Sequence, residues 1–256
     1  MQGSVLKFYW DNILDDTDST FSVTSTSTGD FSLSYITNWL EVNRWKASSS
    51  TIQYFIYETS TTKQADYMAI CGHNLNTAGA NITLQCTTST SFAAPLTLFA
   101  ETPVNDRLFL KEFTNPGAGI KAWRLIVQGQ TTAISIAIMS LGTRTELDYI
   151  TPGNFDPYSQ KIDATINKTV GKYIAGIHVH SIERNIDISL ANKTTTVYNK
   201  VKEWWETHQL NNFAMAWDIT NSSTDIWLVH ADETFKNPIT IDQYRNINIK
   251  LTGRKE

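Results

Sequence analysis

Cysteine is scarce here: two residues in 256, Cys71 and Cys86, are too few for a disulfide framework. They read as buried, reduced thiols in neighbouring strands. Charge is scarce as well, at 18% of residues, and it is not basic, since the formal net charge is −4. Neutralising phosphates needs a basic face, so general nucleic-acid binding is excluded. No apolar run approaches the roughly 20 residues of a spanning helix, and membrane insertion is not expected. The opening stretch, Met1 to Trp10, is broken by Lys7 and followed by Asp11, Asp15 and Asp16, which is the wrong pattern for a secretory leader. Without a leader, the sequons at Asn81, Asn167, Asn192 and Asn221 imply nothing about glycans. Signatures of catalysis are missing too. No Gly-x-Ser-x-Gly elbow occurs, Gly117-Ala-Gly119 lacks the Lys-Ser/Thr of a phosphate loop, and no dense Asp/Asn loop of EF-hand type is present.

What the chain does have is apolar and hydroxyl-rich. Hydrophobic residues make up 41% and aromatics 11%, with eight tryptophans, so a sizeable core can form. Ser, Thr and Asn stand where charge would otherwise be, a composition suited to strands and not to long solvated helices. Thr51-Ile-Gln-Tyr-Phe-Ile-Tyr, Asn81-Ile-Thr-Leu-Gln-Cys-Thr and Ala133-Ile-Ser-Ile-Ala-Ile-Met alternate with period two, which predicts strands with one buried face. Turn clusters at Asn76-Thr-Ala-Gly-Ala and Asn115-Pro-Gly-Ala-Gly punctuate them. Regular short strands separated in this way predict a sandwich of packed antiparallel sheets.

A boundary is expected between Leu147 and Tyr158, where Pro152, Gly153 and Pro157 forbid a central strand or a helix. The division is therefore 1–147 and 148–256. Past it the alternation sharpens. Ile186, Ile188 and Leu190 share a face, as do Phe213, Met215, Trp217 and Ile219, and again Ile247, Ile249 and Leu251. Between them, Val197, Val201, Trp204, Trp205 and His208 fall at helical spacing, which predicts a helix over 195–208. Thr194 or Thr195 would cap it and Asn211-Asn212 would end it. The fold class is all-β: an N-terminal jelly-roll sandwich, then a smaller β-sandwich or split barrel carrying one α-helix.

Ala65-Asp-Tyr-Met-Ala-Ile-Cys-Gly-His-Asn-Leu, Trp123-Arg-Leu-Ile-Val and Ile134-Ser-Ile-Ala-Ile-Met-Ser-Leu-Gly-Thr form an ordered set. It resembles the discoidin-like, galactose-binding-type sandwich of many bacteriophage tail proteins. The resemblance implies that the strand ending in Gly-His-Asn-Leu turns sharply and that the Trp-Arg-Leu-Ile strand returns beside it. The single helix, Phe-Ala-Met-Ala-Trp-Asp at 213–218, Trp-Leu-Val-His at 227–230 and the closing Tyr-Arg-Asn-Ile-Asn-Ile-Lys-Leu-Thr-Gly-Arg resemble the ring-forming domain of distal-tail proteins. The implied role is a non-enzymatic structural component of the virion tail tip, assembled in the bacterial host cytoplasm. It would form a ring, a trimer or hexamer, linking the tail tube to baseplate or fibre proteins. The alternative implied role is a module binding a host surface glycan or receptor.

Candidate chemistry follows residue by residue. Discoidin-like sandwiches bind ligands with loops at one end, so Trp39, Trp45, Tyr54 and His73 are candidate stacking groups, with Asn74 and Arg107 as hydrogen-bonding partners. "Asn-Trp-Leu-Glu-Val-Asn-Arg-Trp" resembles the early strand and turn of such sandwiches, which implies that Trp39 and Trp45 pack inward as plugs instead. His178-Val-His180 puts two imidazoles on one strand face, but an ion needs a third ligand and Glu183 falls on the other face. No metal or cofactor is expected. Cys71 and His73 flank Gly72, yet Cys71 ends the apolar run Met68-Ala-Ile-Cys and reads as a core thiol. Asp15, Asp16 and Asp18 cluster in a turn, and Glu203 and Glu206 lie on the helix's polar face. Neither set is placed as a hydrolase pair, which needs carboxyls about 5–5.5 Å or 6.5–9.5 Å apart across a cleft. No enzymatic activity is expected.

Overall fold

The computed structural model describes residues 5–150, 155–156, 158–219, 225–232, 234–241 and 244–254. Asn221 and part of the expected boundary, residues 151–154 and 157, lie outside the described residues. The strands are β1 (Val5–Tyr9), β2 (Ser19–Val23), β3 (Trp45–Lys46), β4 (Gln53–Thr59), β5 (Tyr67–Cys71), β6 (Asn81–Thr87), β7 (Leu96–Glu101), β8 (Phe109–Glu112) and β9 (Ala122–Gln128). They continue as β10 (Ser135–Ile136), β11 (Ile138–Gly142), β12 (Thr145–Tyr149), β13 (Gln160–Lys168), β14 (Ile174–Lys193), β15 (Phe213–Ala216), β16 (Ile226–Ala231), β17 (Ile239–Ile241) and β18 (Tyr244–Arg254). One α-helix, α1 (Thr195–His208), stands among them. The all-β expectation with a single helix holds.

The chain forms two compact units, one of residues 9–145 and one of residues 1–8 with 146–256. Strand β1 therefore belongs to the sheet of the second unit, beside β12 and β15. Local alternation says that Val5–Tyr9 is a strand but not which sheet it joins.

Residues 9–145 make a jelly-roll sandwich. A five-stranded sheet, β2-β4-β9-β6-β7, faces a three-stranded sheet, β11-β5-β8, with a short β10-β3 ladder beside them. Alternation sends Phe55 and Tyr57, Ile82 and Leu84, and Trp123, Leu125 and Val127 inward from the large sheet. Met68, Ile70, Met139 and Leu141 meet them from the small one. Strands β5 and β11 are buried on both faces, so neither shows the simple alternation of a half-exposed strand.

Two features differ from the sequence expectation. The Trp-Arg-Leu-Ile strand β9 does not return beside β5; it pairs with β4 and β6 in the opposite sheet, and β11 is β5's partner. Cys71 and Cys86 are both buried and in no disulfide, but they sit on β5 and β6, in different sheets.

Buried Asn12 closes the edge of β11. Its Oδ1 accepts the N–H of Leu14 (3.2 Å) and of Leu141 (3.1 Å), and its Nδ2 donates to the Met139 carbonyl (3.3 Å). One side chain thus stands in for a strand neighbour. The approach is close: a Cβ on Gly142 would lie 2.3 Å from the Asp11 carbonyl oxygen.

The second unit is built on the sheet path β12-β1-β15-β16-β18-β14-β13, with β17 paired to β18. Ile186, Ile188, Leu190, Ile247, Ile249 and Leu251 are buried, as their alternation requires. Strand β15 ends at Ala216, short of the expected Trp217 and Ile219, and Ala214 and Ala216 are buried with Phe213 and Met215. Helix α1 covers the sheet with Val201, Trp204 and His208, while Val197 and Trp205 are half-buried. Trp204 meets Phe8 at 5.1 Å and Phe213 at 5.3 Å, edge to face, and Trp205 stacks on Phe235 at 5.2 Å. The helix caps differ from expectation. Thr194 is the N-cap but its side chain makes no capping bond, and Gln209 ends the helix at φ 51°, ahead of Asn211.

Replacing Asn12 by Ala removes three hydrogen bonds and strands two N–H groups and a carbonyl, so Asn12→Ala should cost roughly 2–4 kcal/mol. Urea denaturation of the whole chain measures this. A loss below about 0.5 kcal/mol would mean that water replaces the side chain.

Candidate functional site

The registers fix which loops share an end of the sandwich. Asn81 pairs with Gln128, Gln53 with Val127, Ile82 with Glu101, and Ile138 with Cys71. Segments 24–52, 72–80, 102–108 and 129–137 therefore leave from one end, while residues 10–18 and 143–145 lie at the other.

These apical segments are tied together by side chains. Asn74 Oδ1 accepts the Ser135 N–H (2.7 Å) and Asn74 Nδ2 donates to the Ala133 carbonyl (3.2 Å), fastening 72–80 to 129–137. The Asp106 carboxylate accepts the backbone N–H of Asn76 (2.7 Å) and of Thr77 (3.2 Å) and the Thr77 hydroxyl, fastening 102–108 to the same loop. Gln130 Nε2 donates to the Thr51 carbonyl, which ties in the end of segment 24–52. Gly72 makes the turn possible: its φ is +62°, and a Cβ there would sit 2.7 Å from Ala137 Cβ.

His73 lies beneath this network, 4% exposed. Its Nδ1 accepts the Leu75 N–H (3.3 Å), so the ring is neutral with its proton on Nε2. Burial pushes its pKa down to about 4, against opposing pulls from the Asp106 carboxylate, 3.8 Å away, and the Arg107 backbone. For Asp106, burial works to raise the pKa, but hydrogen bonds from Thr77 and Asn76 outweigh it and hold the carboxyl below its usual value.

The six sequence candidates therefore separate. Trp45 is fully buried, packs edge-on against Phe55 at 4.8 Å and donates to Thr26 Oγ1 (3.0 Å). Trp39 is buried at φ 62°, with its indole on the Asp15 carboxylate. Both tryptophans are plugs and offer no face to a ligand. His73 and Asn74 position loops. Tyr54 stands on the outer face of β4, half-buried, with Arg124 at 5.6 Å from its ring; that guanidinium also lies 4.4 Å from Phe92 and bonds Gln85 Oε1 at 2.6 Å. Of the six, only Arg107 is exposed on an apical loop. Asn105 and Val104, its neighbours in the chain, are exposed, as are Asn76 and Thr77, whose N–H groups Asp106 accepts, and Ile52 is exposed at the same end of the sandwich. Asp106 was not foreseen. Its partners lie 29 and 30 residues back, beyond any local pattern, although Asn105-Asp106-Arg107 reads as a turn.

Other candidate chemistry is placed elsewhere. His178 and His180 are exposed with ring centroids 4.8 Å apart, and His180 Nε2 meets Thr165 Oγ1 at 2.7 Å. No third His, Cys, Asp or Glu joins them among the described residues. Asp16 and Asp18 both pair with Lys63, at 2.7 and 3.4 Å, and do not face each other across a cleft.

No family model matches the chain, and no curated protein matches it. Among solved structures, a chitosan-binding module from a Paenibacillus chitosanase/glucanase matches 51% of this chain and 98% of its own, at 15% identity and a TM-score of 0.42. A CBM32 module from Clostridium perfringens, in complex with GalNAc-β-1,3-galactose, matches 50% of this chain and 98% of its own, at 11% identity and a TM-score of 0.41. A GH29 fucosidase from Ruminococcus gnavus, in complex with fucose, matches 53% of this chain at 11% identity and a TM-score of 0.45. The chain spans only 27% of that fucosidase. Likeness at this level bears on fold alone, so function is read from this chain's own residues.

The buried His73 gives a pH prediction. Its folded pKa of about 4 lies below the ordinary value of 6.5, so between them the unfolded chain binds a proton that the native chain refuses. Its contribution is whole above pH 6.5 and falls away as pH drops towards 4, by about 3 kcal/mol in all. Denaturant midpoints across this range should fall more steeply for the natural chain than for His73→Gln. Parallel curves would show that the ring takes up its proton freely.

Proposed function

We propose that the sandwich is a non-catalytic binding module whose apical loops hold a surface glycan. The observation that carries this reading is an exposed arginine, Arg107, set on a fastened loop scaffold. Asn74, Asp106 and Gln130 spend their hydrogen bonds on other loops, whereas among the described residues no ion pair or side-chain hydrogen bond holds the exposed Arg107 guanidinium. A rim of amide and hydroxyl groups with one guanidinium suits a neutral, hydroxyl-bearing ligand, because each sugar hydroxyl can both donate and accept. Val104 and Ile52 add apolar surface for the C–H faces of a ring. Fixed loops also lower the ordering cost of binding, which is where weak polar contacts lose most of their gain.

A glycan array probed with the whole chain tests this. Bound glycans should lose at least tenfold in affinity for Arg107→Ala, with an unchanged melting temperature. An array that retains nothing, or equal binding by natural chain and variant, rules out the apical site.

A second reading, a structural component of a bacteriophage tail tip that joins the tail tube to baseplate or fibre proteins within the virion, is favoured by a different feature. The second unit extends an exposed, apolar-faced hairpin, the kind of surface an assembly covers. Antibody labelling of purified particles would place the chain at one end of the tail. Absence of label from intact particles would remove this reading.

A further inference from the structure

The hairpin of β13 and β14 carries an irregularity that gathers two imidazoles. Its register passes from Asp163 opposite Ser181 to Ala164 opposite Val179, so His180 is the extra residue of a β-bulge. Bulges re-aim side chains, and this one falls within a His-x-His pair. His178 stands opposite Thr165, and both histidines are exposed. Their ring centroids lie 4.8 Å apart with the planes at 78°. The bulge also changes which residues share a side. Past it, Ser181 and Glu183 fall on the face of His178, although an unbroken strand would place Glu183 on the other.

That spacing is what one metal ion requires. A ligating imidazole nitrogen sits about 2.1 Å from zinc, which puts the ring centre roughly 3.2 Å from the ion. Two rings meeting the ion at about 90–110° then have centres about 4.5–5.2 Å apart. The observed pair falls inside this span, so the rings need only turn, not separate. An outer partner is present as well, since Thr165 Oγ1 lies 2.7 Å from His180 Nε2. With the proton on Nε2, that nitrogen donates to the hydroxyl and Nδ1 keeps its lone pair for an ion, the arrangement that orients metal-binding histidines. Among the described residues no hydrogen bond takes a nitrogen of His178. Asp163 and Glu183 against Lys161 give this face a negative balance, which favours a cation.

We propose that His178 and His180 together bind one late first-row divalent ion, copper(II) more tightly than zinc(II). Imidazole suits both ions, and affinity rises along this series to copper. A third protein donor would make a closed, tight site, and none joins the pair among the described residues. The remaining positions therefore go to solvent, which makes the ion exchangeable and leaves it open to a donor from outside the chain. Magnesium and calcium take oxygen ligands and do not suit this donor set. The site uses no residue of the apical loops, so its fate is separate from that of glycan binding.

The test is titration of the whole chain with copper(II) alone, read by calorimetry and electron paramagnetic resonance. His178→Ala and His180→Ala should each weaken uptake at least tenfold, because a single imidazole is left where a chelate stood. The resonance spectrum should carry the signature of two imidazole nitrogens in the natural chain and lose it in both variants. His230→Ala, which removes an exposed histidine of another strand, should bind as the natural chain does. Zinc(II) should compete for the same ion position and magnesium should not. Line broadening of backbone amides by substoichiometric copper(II) needs no variant, and should centre on residues 163–167 and 176–182. Uptake that is equal in the natural chain and both histidine variants overturns the proposal. So does broadening centred on His230 or on the start of the chain, or a natural chain that takes up no copper(II).

Discussion

The apical surface depends on one amide side chain. Asn74 uses its oxygen on the Ser135 N–H and its nitrogen on the Ala133 carbonyl, so the loop after β5 and the segment before β11 move as one piece. That join is possible because Gly72 turns at positive φ against Ala137, a place where any side chain would collide. With this piece fixed, Asp106 can clamp a third loop through the backbone of Asn76 and Thr77. Arg107, next in the chain, is then held exposed at the surface. Rigid supports beneath a few free polar groups are what pre-organised recognition requires.

The second unit follows a different logic. Its sheet is stabilised by aromatic packing under α1, where Trp204 meets Phe8 and Phe213 edge to face and the two phenylalanines meet at a tilt. Past Arg184 the hairpin β13–β14 leaves Ile162, Ile166, Ile174 and Ile177 more than half exposed. In a sandwich an apolar face is balanced by a facing layer. Among the described residues no layer faces this hairpin, and exposed apolar surface of that kind is stable in water chiefly when another surface covers it.

Much of the fold was legible because burial on one face leaves a period in the sequence. The limits of α1 and of β6 follow from that period alone, and so do the buried sides of β14 and β18. The run Ala133 to Met139 reads as one strand, yet it breaks at Ala137, where the N–H turns to the Cys71 carbonyl (3.2 Å) beneath Gly72. Sheet membership was not legible either. The alternation of Trp123-Arg-Leu-Ile-Val is the same whichever sheet it joins, and its position in the five-stranded sheet is set by long-range pairing. The site was read least well. Trp39 and Trp45 were read both as stacking groups and as plugs; a large aromatic gains most free energy by burial, and the core took both. His73 and Asn74 were named as ligand contacts but fasten loops, and Arg107 alone of the six is exposed on an apical loop. Asp106 was missed because its work is done across loops distant in sequence.

Backbone amide chemical shifts, followed while a bound glycan or its fragment is titrated into the whole chain, test most directly where ligand is held. The account predicts shifts confined to residues near 48–52, 76–77, 104–107 and 131–132, on the rim above Asn74 and Asp106. Shifts centred instead on the outer sheet face around Tyr54, Phe92 and Arg124 would contradict it.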